Sequence, residues 1–380
     1  MNLFYRVLRA VARFSLQIYF KNISFSGWDR LKEDGPRIIT ANHPASFLDA
    51  CVLACFLPGP LHFLVRGDVF HPWFRSFFRW TYQIPIYRFR DGFGNLRRNA
   101  RTFKEVHQVL AEGKTVVIFA EGLTEYEKKL RPIQRGAARM AVGFQKEFPQ
   151  KSIHLQAIGI NYEDIYRFSS AVQVHIGPVF QPDISADPKE DIQLLTEEVA
   201  RQLSNLVVHI EENRREAIYD SMARKEGVFS LHAQEARRAQ FAWAERINNM
   251  SKTEVSSLLS QTAPLEPVDS ENHNERDSLI SKLRCFGFQI LYLLMFPFFY
   301  LPARVSQYVA RKYFVHPSFQ QSIAIGLGMF VYLFWILFLA LVFYFAFDSI
   351  WVGGVLMVIY IFVGKILAAK VWVKGRIKCK

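Results

Sequence analysis

Cysteine is scarce and scattered: Cys51, Cys55, Cys285 and Cys379 are all that the 380 residues contain. They show no metal-ligand spacing and frame no disulfide scaffold, which excludes a metal- or disulfide-stapled fold and suits a reducing compartment. Cys51 and Cys55, one helical turn apart, read as packing on a helix face. The N-terminal stretch "MNLFYRVLRAVARFSLQIYF" lacks a small-residue cleavage site and is a poor signal peptide. There is no repeat of fixed period and no elbow presenting a serine or cysteine nucleophile. No groove-reading motif accompanies the basic charge, which argues against nucleic acid as a partner.

Apolar and basic residues, in contrast, are abundant. The chain is 51% hydrophobic and 15% aromatic, with 35 Phe, more than a soluble domain usually carries. Part of it is expected to meet lipid. A net charge of +13 predicts attraction to an anionic surface, and aromatic-rich segments beside that charge favour phospholipid headgroups.

Residues 322–347, "SIAIGLGMFVYLFWILFLALVFYFAF", are long enough to cross a hydrocarbon core of roughly 30 Å. Asp348 and Ser349 interrupt, and "IWVGGVLMVIYIFVG" (350–364) continues. The pattern predicts a transmembrane helical hairpin with its turn near Asp348. Arg304, Arg311 and Lys312 precede it and Lys365, Lys370, Lys374, Arg376, Lys378 and Lys380 follow, so both ends are expected in the cytoplasm. The expectation is an integral membrane protein with its globular region on the cytoplasmic face. A third run, 285–302, contains Gln289, Pro297 and Pro302 and reads as a re-entrant or interfacial segment; two spans made of 285–302 and part of 322–364 are the alternative. Near the N-terminus Leu3, Val7, Leu8, Val11 and Phe14 recur at helical spacing among Arg6, Arg9 and Arg13. That is either a helix lying in the membrane interface or an ordinary surface helix. The segment 71–90 interleaves Trp73, Phe77, Phe78 and Trp80 with Arg75 and Arg79, and suits an interfacial face or a helix covering a sheet.

Between these ends the rhythm is that of an α/β domain. Apolar runs at 37–40, 61–66, 84–88, 115–121, 153–162 and 172–180 read as strands. Helices are expected at 95–112, ending at Gly113, at 135–148, and from about Lys189 to Arg215. Four regions follow: 1–26, an interfacial helix and lead-in strand; 27–215, the main domain; 216–280, polar, helical or linker; and 281–380, the membrane anchor.

The chemistry concentrates in two blocks. In "ITANHPASFLDA" (39–50) a strand runs into a loop holding Asn42, His43 and Ser46, then reaches Asp49. His43 and Asp49 are six residues apart, about 600° on a helix, so the loop must bring them together. Ser46 is placed to cap a helix starting at Phe47, with Asp49 in a Ser-x-x-Asp pattern. The pair reads either as a base with its orienting acid or as an N-cap beside an incidental histidine. The second block, 118–141, ends a strand with Glu121 and Gly122 and carries Lys128, Lys129, Arg131 and Arg135 on the way to a helix. It is either a phosphate-gripping loop or a solvated one.

Together these blocks resemble the glycerolipid acyltransferase family, which includes the lysophosphatidate and glycerol-3-phosphate acyltransferases. The resemblance runs from about Gly27 to Pro182. "NHPASFLDA" is similar to the family's Asn-His-x4-Asp block, "IPIYRFRDG" to the block whose arginine, here Arg88, binds the acceptor's phosphate, and "FAEGLTE" to Phe-Pro-Glu-Gly-Thr-Arg. "AIGINY" stands where the family has an apolar strand. Five residues separate His43 from Asp49, a spacing similar to members related to fungal glycerol-3-phosphate acyltransferases. Ala120, Leu123 and Thr124 replace the family's proline, threonine and arginine in the third block.

The resemblance implies a mixed sheet flanked by helices, with direct acyl transfer and no cofactor or metal. His43, oriented by Asp49, would deprotonate an acceptor hydroxyl, which attacks the thioester of acyl-CoA or acyl carrier protein; backbone amides near the helix start would stabilise the oxyanion. Arg88 would bind the phosphate of a phosphorylated glycerol or lysophospholipid, with Arg66, Arg90, Arg131 and Arg135 as further candidates, and Glu121 with Gly122 would shape the acceptor pocket. Such acceptors carry chains worth about 0.8 kcal/mol per buried methylene, so the site is expected at a bilayer. The alternative is a membrane-bound scaffold that keeps the fold without catalysis.

Overall fold

The computed structural model describes residues 1–31, 35–67, 75–87, 94–165, 167, 169–185 and 187–261, and beyond these 301–302, 304–312, 317–347, 349, 351, 354–355 and 358. By its internal contacts the chain divides into two units. One comprises Met1–Gln17, Asn22–Glu163 and Ala171–Leu259; the other comprises Ile18–Lys21, Asp164–Ser170 and Ser260–Lys380.

The first unit is built on a mixed seven-stranded sheet flanked by helices. Its strands are β1 (Asn22–Ser26), β2 (Arg37–Ala41), β3 (Leu61–Arg66), β4 (Gln83–Ile86), β5 (Thr115–Phe119), β6 (His154–Tyr162) and β7 (Ala171–Phe180), in the order β1-β7-β6-β2-β5-β3-β4. The five strands from β6 to β4 run parallel, while β7 is antiparallel to β6 and parallel to β1. Strands buried on both faces explain why β2 and β6 read as unbroken buried runs instead of alternating ones.

The helices lying wholly or mostly in this unit are α1 (Leu3–Tyr19), α2 (Phe47–Phe56), α3 (Arg75–Trp80), α4 (Gly94–Ala111), α5 (Gly136–Glu147), α6 (Pro188–Ser204), α7 (Asn213–Lys225), α8 (Ala233–Asn248) and α9 (Lys252–Gln261). On α4, Val106 and Leu110 are fully buried and Phe103 and Val109 half-buried, the face expected from their spacing. Gly113 then ends the turn with φ of 74°, a conformation glycine adopts without cost.

The helix expected from Lys189 to Arg215 is two helices. Between α6 and α7 the stretch Leu206, Val207, Val208 and Ile210 is buried. Asn161 at the end of β6 holds it, donating from Nδ2 to the Leu206 carbonyl (2.8 Å) and accepting the Val208 N–H (2.8 Å). Beyond it α7, α8 and α9 form a second apolar core of Ile218, Tyr219, Trp243 and Ile247, and α8 packs on β1.

In the second unit, α10 (Pro317–Phe347) is one continuous helix. Its segment Ile323–Ala346 has 24 residues and a mean hydropathy of 2.5, long and apolar enough to cross a membrane by length and composition. Phe334, Leu337, Leu341 and Phe345 point outward along it. The expected turn at Asp348, most of 350–364 and the whole run 285–300 lie outside the described residues.

Candidate active site

The C-terminal ends of β2, β3, β4 and β5 share one edge of the sheet, the usual place for a binding crevice in parallel α/β folds. The chain leaves β2 through Asn42. The Asn42 side chain donates to the Ile160 carbonyl (2.9 Å) and accepts the Ile160 N–H (2.7 Å), so it stitches the loop to β6 and does not face substrate.

His43 follows, with its ring stacked on Phe119 at the end of β5, centroids 3.8 Å apart and 14° between planes. That stacking fixes the ring plane. Its Nδ1 lies 2.9 Å from Asp49 Oδ2, and the imidazole keeps 18% of its surface accessible while the carboxylate has none. The loop therefore does bring the two side chains together. With Nδ1–H donating to the acid, the outward nitrogen is Nε2, the one available as a base.

The expected serine cap does not form. Ser46 has φ 55° and ψ −126° and makes no side-chain cap hydrogen bond. Asp49 takes the role instead: its Oδ2 accepts the Ala45 N–H at 2.8 Å as well as the imidazole. A non-glycine residue at positive φ beside the reacting pair is local strain that the surroundings must hold.

Burial pushes the Asp49 carboxyl above its ordinary range, while the hydrogen bonds from His43 and the Ala45 N–H, and the charge of His43, pull it back down.

Glu121 is buried just past β5, where it accepts backbone N–H groups from Arg131 (Oε1, 3.5 Å) and from His43. Burial raises its pKa to about 7, against the lowering effect of those hydrogen bonds and of the Arg131 charge. Gly122 turns the chain at φ 70°, and a Cβ there would press to 3.0 Å from Gln134 Cγ.

The arginines divide. Arg66 ends β3 on the site's edge, in register with Ile86. Arg131 spends its guanidinium on Glu125 and Glu127, both at 3.1 Å. Arg135 is exposed at the start of α5. Arg88 and Arg90 lie outside the described residues. Lys128 is buried against Asp220 (2.7 Å) and Glu216 (3.7 Å) of α7, which ties the loop after β5 to that helix. A small cavity behind the His43 loop is lined by Asn42, Pro44, Tyr126, Lys128, Tyr162 and Tyr219, among others. Among the described residues, no group of three or more His, Cys, Asp or Glu is gathered to hold a metal ion.

Residues 22–161 match the family model described as Acyltransferase. Among solved structures, the crystal structure of the 1-acyl-sn-glycerophosphate (LPA) acyltransferase PlsC from Thermotoga maritima is similar over 51% of this chain and 77% of that chain. The identity is 18% and the TM-score 0.39.

Proposed function

We propose, from the match of residues 22–161 to the family model described as Acyltransferase, that the chain transfers a fatty acyl group from acyl-CoA or acyl carrier protein to a hydroxyl of glycerol-3-phosphate or a lysophospholipid such as lysophosphatidate, at a membrane. The observation that carries this reading is the 2.9 Å contact between His43 Nδ1 and a fully buried Asp49, at the C-terminal edge of the parallel strands. His43 Nε2 takes the proton of the acceptor hydroxyl as its oxygen attacks the thioester carbon. The resulting oxyanion is stabilised near the start of α2. Collapse breaks the C–S bond, the imidazolium returns the proton to the departing thiolate, and an ester and a free thiol leave.

Acceptor phosphate is assigned to Arg66 and Arg135, together with Arg88 on the family resemblance alone. Arg131 is the weaker candidate because two carboxylates already balance its charge. Glu121 is assigned to holding the His43 loop and the floor of the acceptor pocket.

A membrane setting is supported by the outward face of α1. Leu3, Val7 and Phe14 are 74%, 57% and 54% exposed, whereas the buried residues of the helix are Tyr5 and Leu16. A helix that merely covered the sheet would bury its apolar stripe. Phe4 continues this surface onto α3 through Phe77 and Trp80 (centroids 6.2 and 5.3 Å). Arg9 fastens α1 to the end of α2 through the carbonyls of Cys55 and Leu57. Arg9 thus ties α1 to the end of a ten-residue helix, roughly 15 Å long, whose other end carries Asp49. A lysolipid whose chain stays among lipids can reach the site over such a span.

The test is acyl transfer by purified protein in vesicles, with a panel of phosphorylated acceptors and both kinds of thioester, read by mass detection of the ester. His43→Ala is expected to lower kcat by about 10³-fold without changing vesicle association. A wild-type chain that acylates none of the panel while binding vesicles supports the scaffold reading, which the replacements Ala120 and Thr124 favour.

A further inference from the structure

Resting on the acyl-transfer reading, we propose that Lys128 is a positioning residue for the acceptor: buried between the loop after β5 and helix α7, it holds the loop that joins Glu121 to Arg135 in the shape that binds the acceptor. Residues 121–134 have no helix or strand of their own, and a stretch of that length without regular structure inside a compact domain is usually functional. Its ends are drawn together, the Gln134 N–H donating to the Ala120 carbonyl at 2.8 Å, as in an Ω-loop. Two groups assigned above to the acceptor stand at those ends: Glu121 opens the loop and Arg135 follows it. Lys128 lies midway between them.

The middle of the loop is fastened by residues beyond the segment that matches the family model. The Ile210 N–H donates to the Lys128 carbonyl (2.7 Å), the Lys128 N–H to Glu216 Oε2 (3.4 Å) and the Leu130 N–H to His209 Nδ1 (3.2 Å). The Lys128 ammonium forms ion pairs with Asp220 Oδ1 at 2.7 Å and Glu216 Oε1 at 3.7 Å, and donates to the Glu163 carbonyl at 3.4 Å. Only 7% of its side chain is accessible, against 24% and 20% for the two acids. Ion pairs so shielded are screened far less than pairs in water, and removing one partner leaves the other's charge desolvated. The neighbouring cations do not share this task. Arg131 is paired with Glu125 and Glu127, inside the loop itself. Lys129 is exposed and reaches the Glu211 carbonyl at 3.4 Å. Lys128 also lines the cavity behind the His43 loop, with Asn42 and Pro44, so the clamp lies against the site and not at a remote surface. The acyl thioester is assigned to no residue of this loop, so loosening it is expected to weaken the acceptor alone.

The experiment uses the full chain in vesicles, with two readouts: steady-state kinetics in thioester and phosphorylated acceptor, and hydrogen exchange of the backbone amides of 121–134 read by mass spectrometry. Lys128→Met is expected to raise KM for the acceptor about tenfold while KM for the thioester stays within about twofold, and to speed exchange of 121–134 about tenfold with β5 and α5 unchanged. Asp220→Asn is expected to move both readouts the same way. The double variant is expected to lose no more than Lys128→Met alone, because both substitutions break one contact. Should Lys128→Met fail to fold, Asp220→Asn, which leaves the ammonium beside Glu216, carries the test once its melting temperature shows it folded. Acceptor KM within about twofold of wild type, an equal rise in KM for both substrates, or additive losses in the double variant overturn the proposal. If the wild type acylates nothing, the function reading has failed; exchange of 121–134 in the variants still decides whether Lys128 holds the loop, and unchanged rates overturn it.

Discussion

Glu121 is a carboxyl in a place that offers little water, and that makes the protein's stability depend on pH in a definite direction. In the folded chain its pKa stands at about 7, against 4.5 ordinarily, because burial outweighs the N–H groups of Arg131 and His43. The folded state thus binds this proton more tightly than the unfolded one. Its contribution to stability is fully present below about pH 4.5 and is lost as pH rises through about 7. Replacing it with glutamine removes the titration. Between pH 5 and pH 8 the melting temperature of Glu121→Gln is expected to rise relative to wild type, by an amount equivalent to on the order of 3 kcal/mol. A constant difference across that range would mean the carboxyl does not titrate there. At this scale the sequence revealed His43 and Asp49 because a single short loop holds both. It misassigned Ser46, whose positive φ turns the hydroxyl away from the helix and leaves Asp49 to accept the Ala45 N–H. The clamp of Asn42 on Ile160 was hidden because it depends on β6 lying beside β2, a pairing no local pattern encodes.

Strand β6 is the element on which the site leans hardest. All nine of its residues are buried, and it delivers Ile160 to Asn42 and Asn161 to the 206–208 segment. Gly159 lies within it for a steric reason: a Cβ there would sit 2.2 Å from the Leu206 carbonyl oxygen and 2.5 Å from its carbon. The two nearest atoms are Leu206 backbone, not the far end of a flexible side chain, and do not yield cheaply. Gly159→Ala is therefore expected to cost about 3 kcal/mol, the upper range for overpacking, and to lower acyl transfer by opening the Asn161 clamp. An unchanged melting temperature would show that 206–208 moves aside freely. The strands from β2 to β7 were readable as apolar runs because strands covered on both faces have no polar side to hide them. The break between α6 and α7 was not, since an apolar stretch that covers a sheet has the same composition as a helix face.

At the scale of the whole chain, the two stretches proposed to meet lipid are separate, and they predict different responses to salt. The outward apolar residues of α1 and α3 are interleaved with Arg6, Arg75 and Arg79, a surface expected to bind anionic headgroups partly through charge. Such attraction is screened when the Debye length falls to about 3 Å at 1 M salt. The 24 apolar residues of Ile323–Ala346 span about 36 Å as a helix, more than the hydrocarbon core, and salt does not screen that burial. Accordingly the full chain is expected to stay in the membrane pellet after alkaline carbonate extraction. A chain ended after Gln261 keeps every strand of the sheet and both apolar cores, and is expected to fold and to bind vesicles containing anionic lipid. It should leave those vesicles at about 1 M salt and bind neutral ones weakly. Release of the full chain by carbonate would exclude α10 as a span. Equal binding of the shortened chain to neutral and anionic vesicles at any salt would remove charge from the docking of α1 and α3.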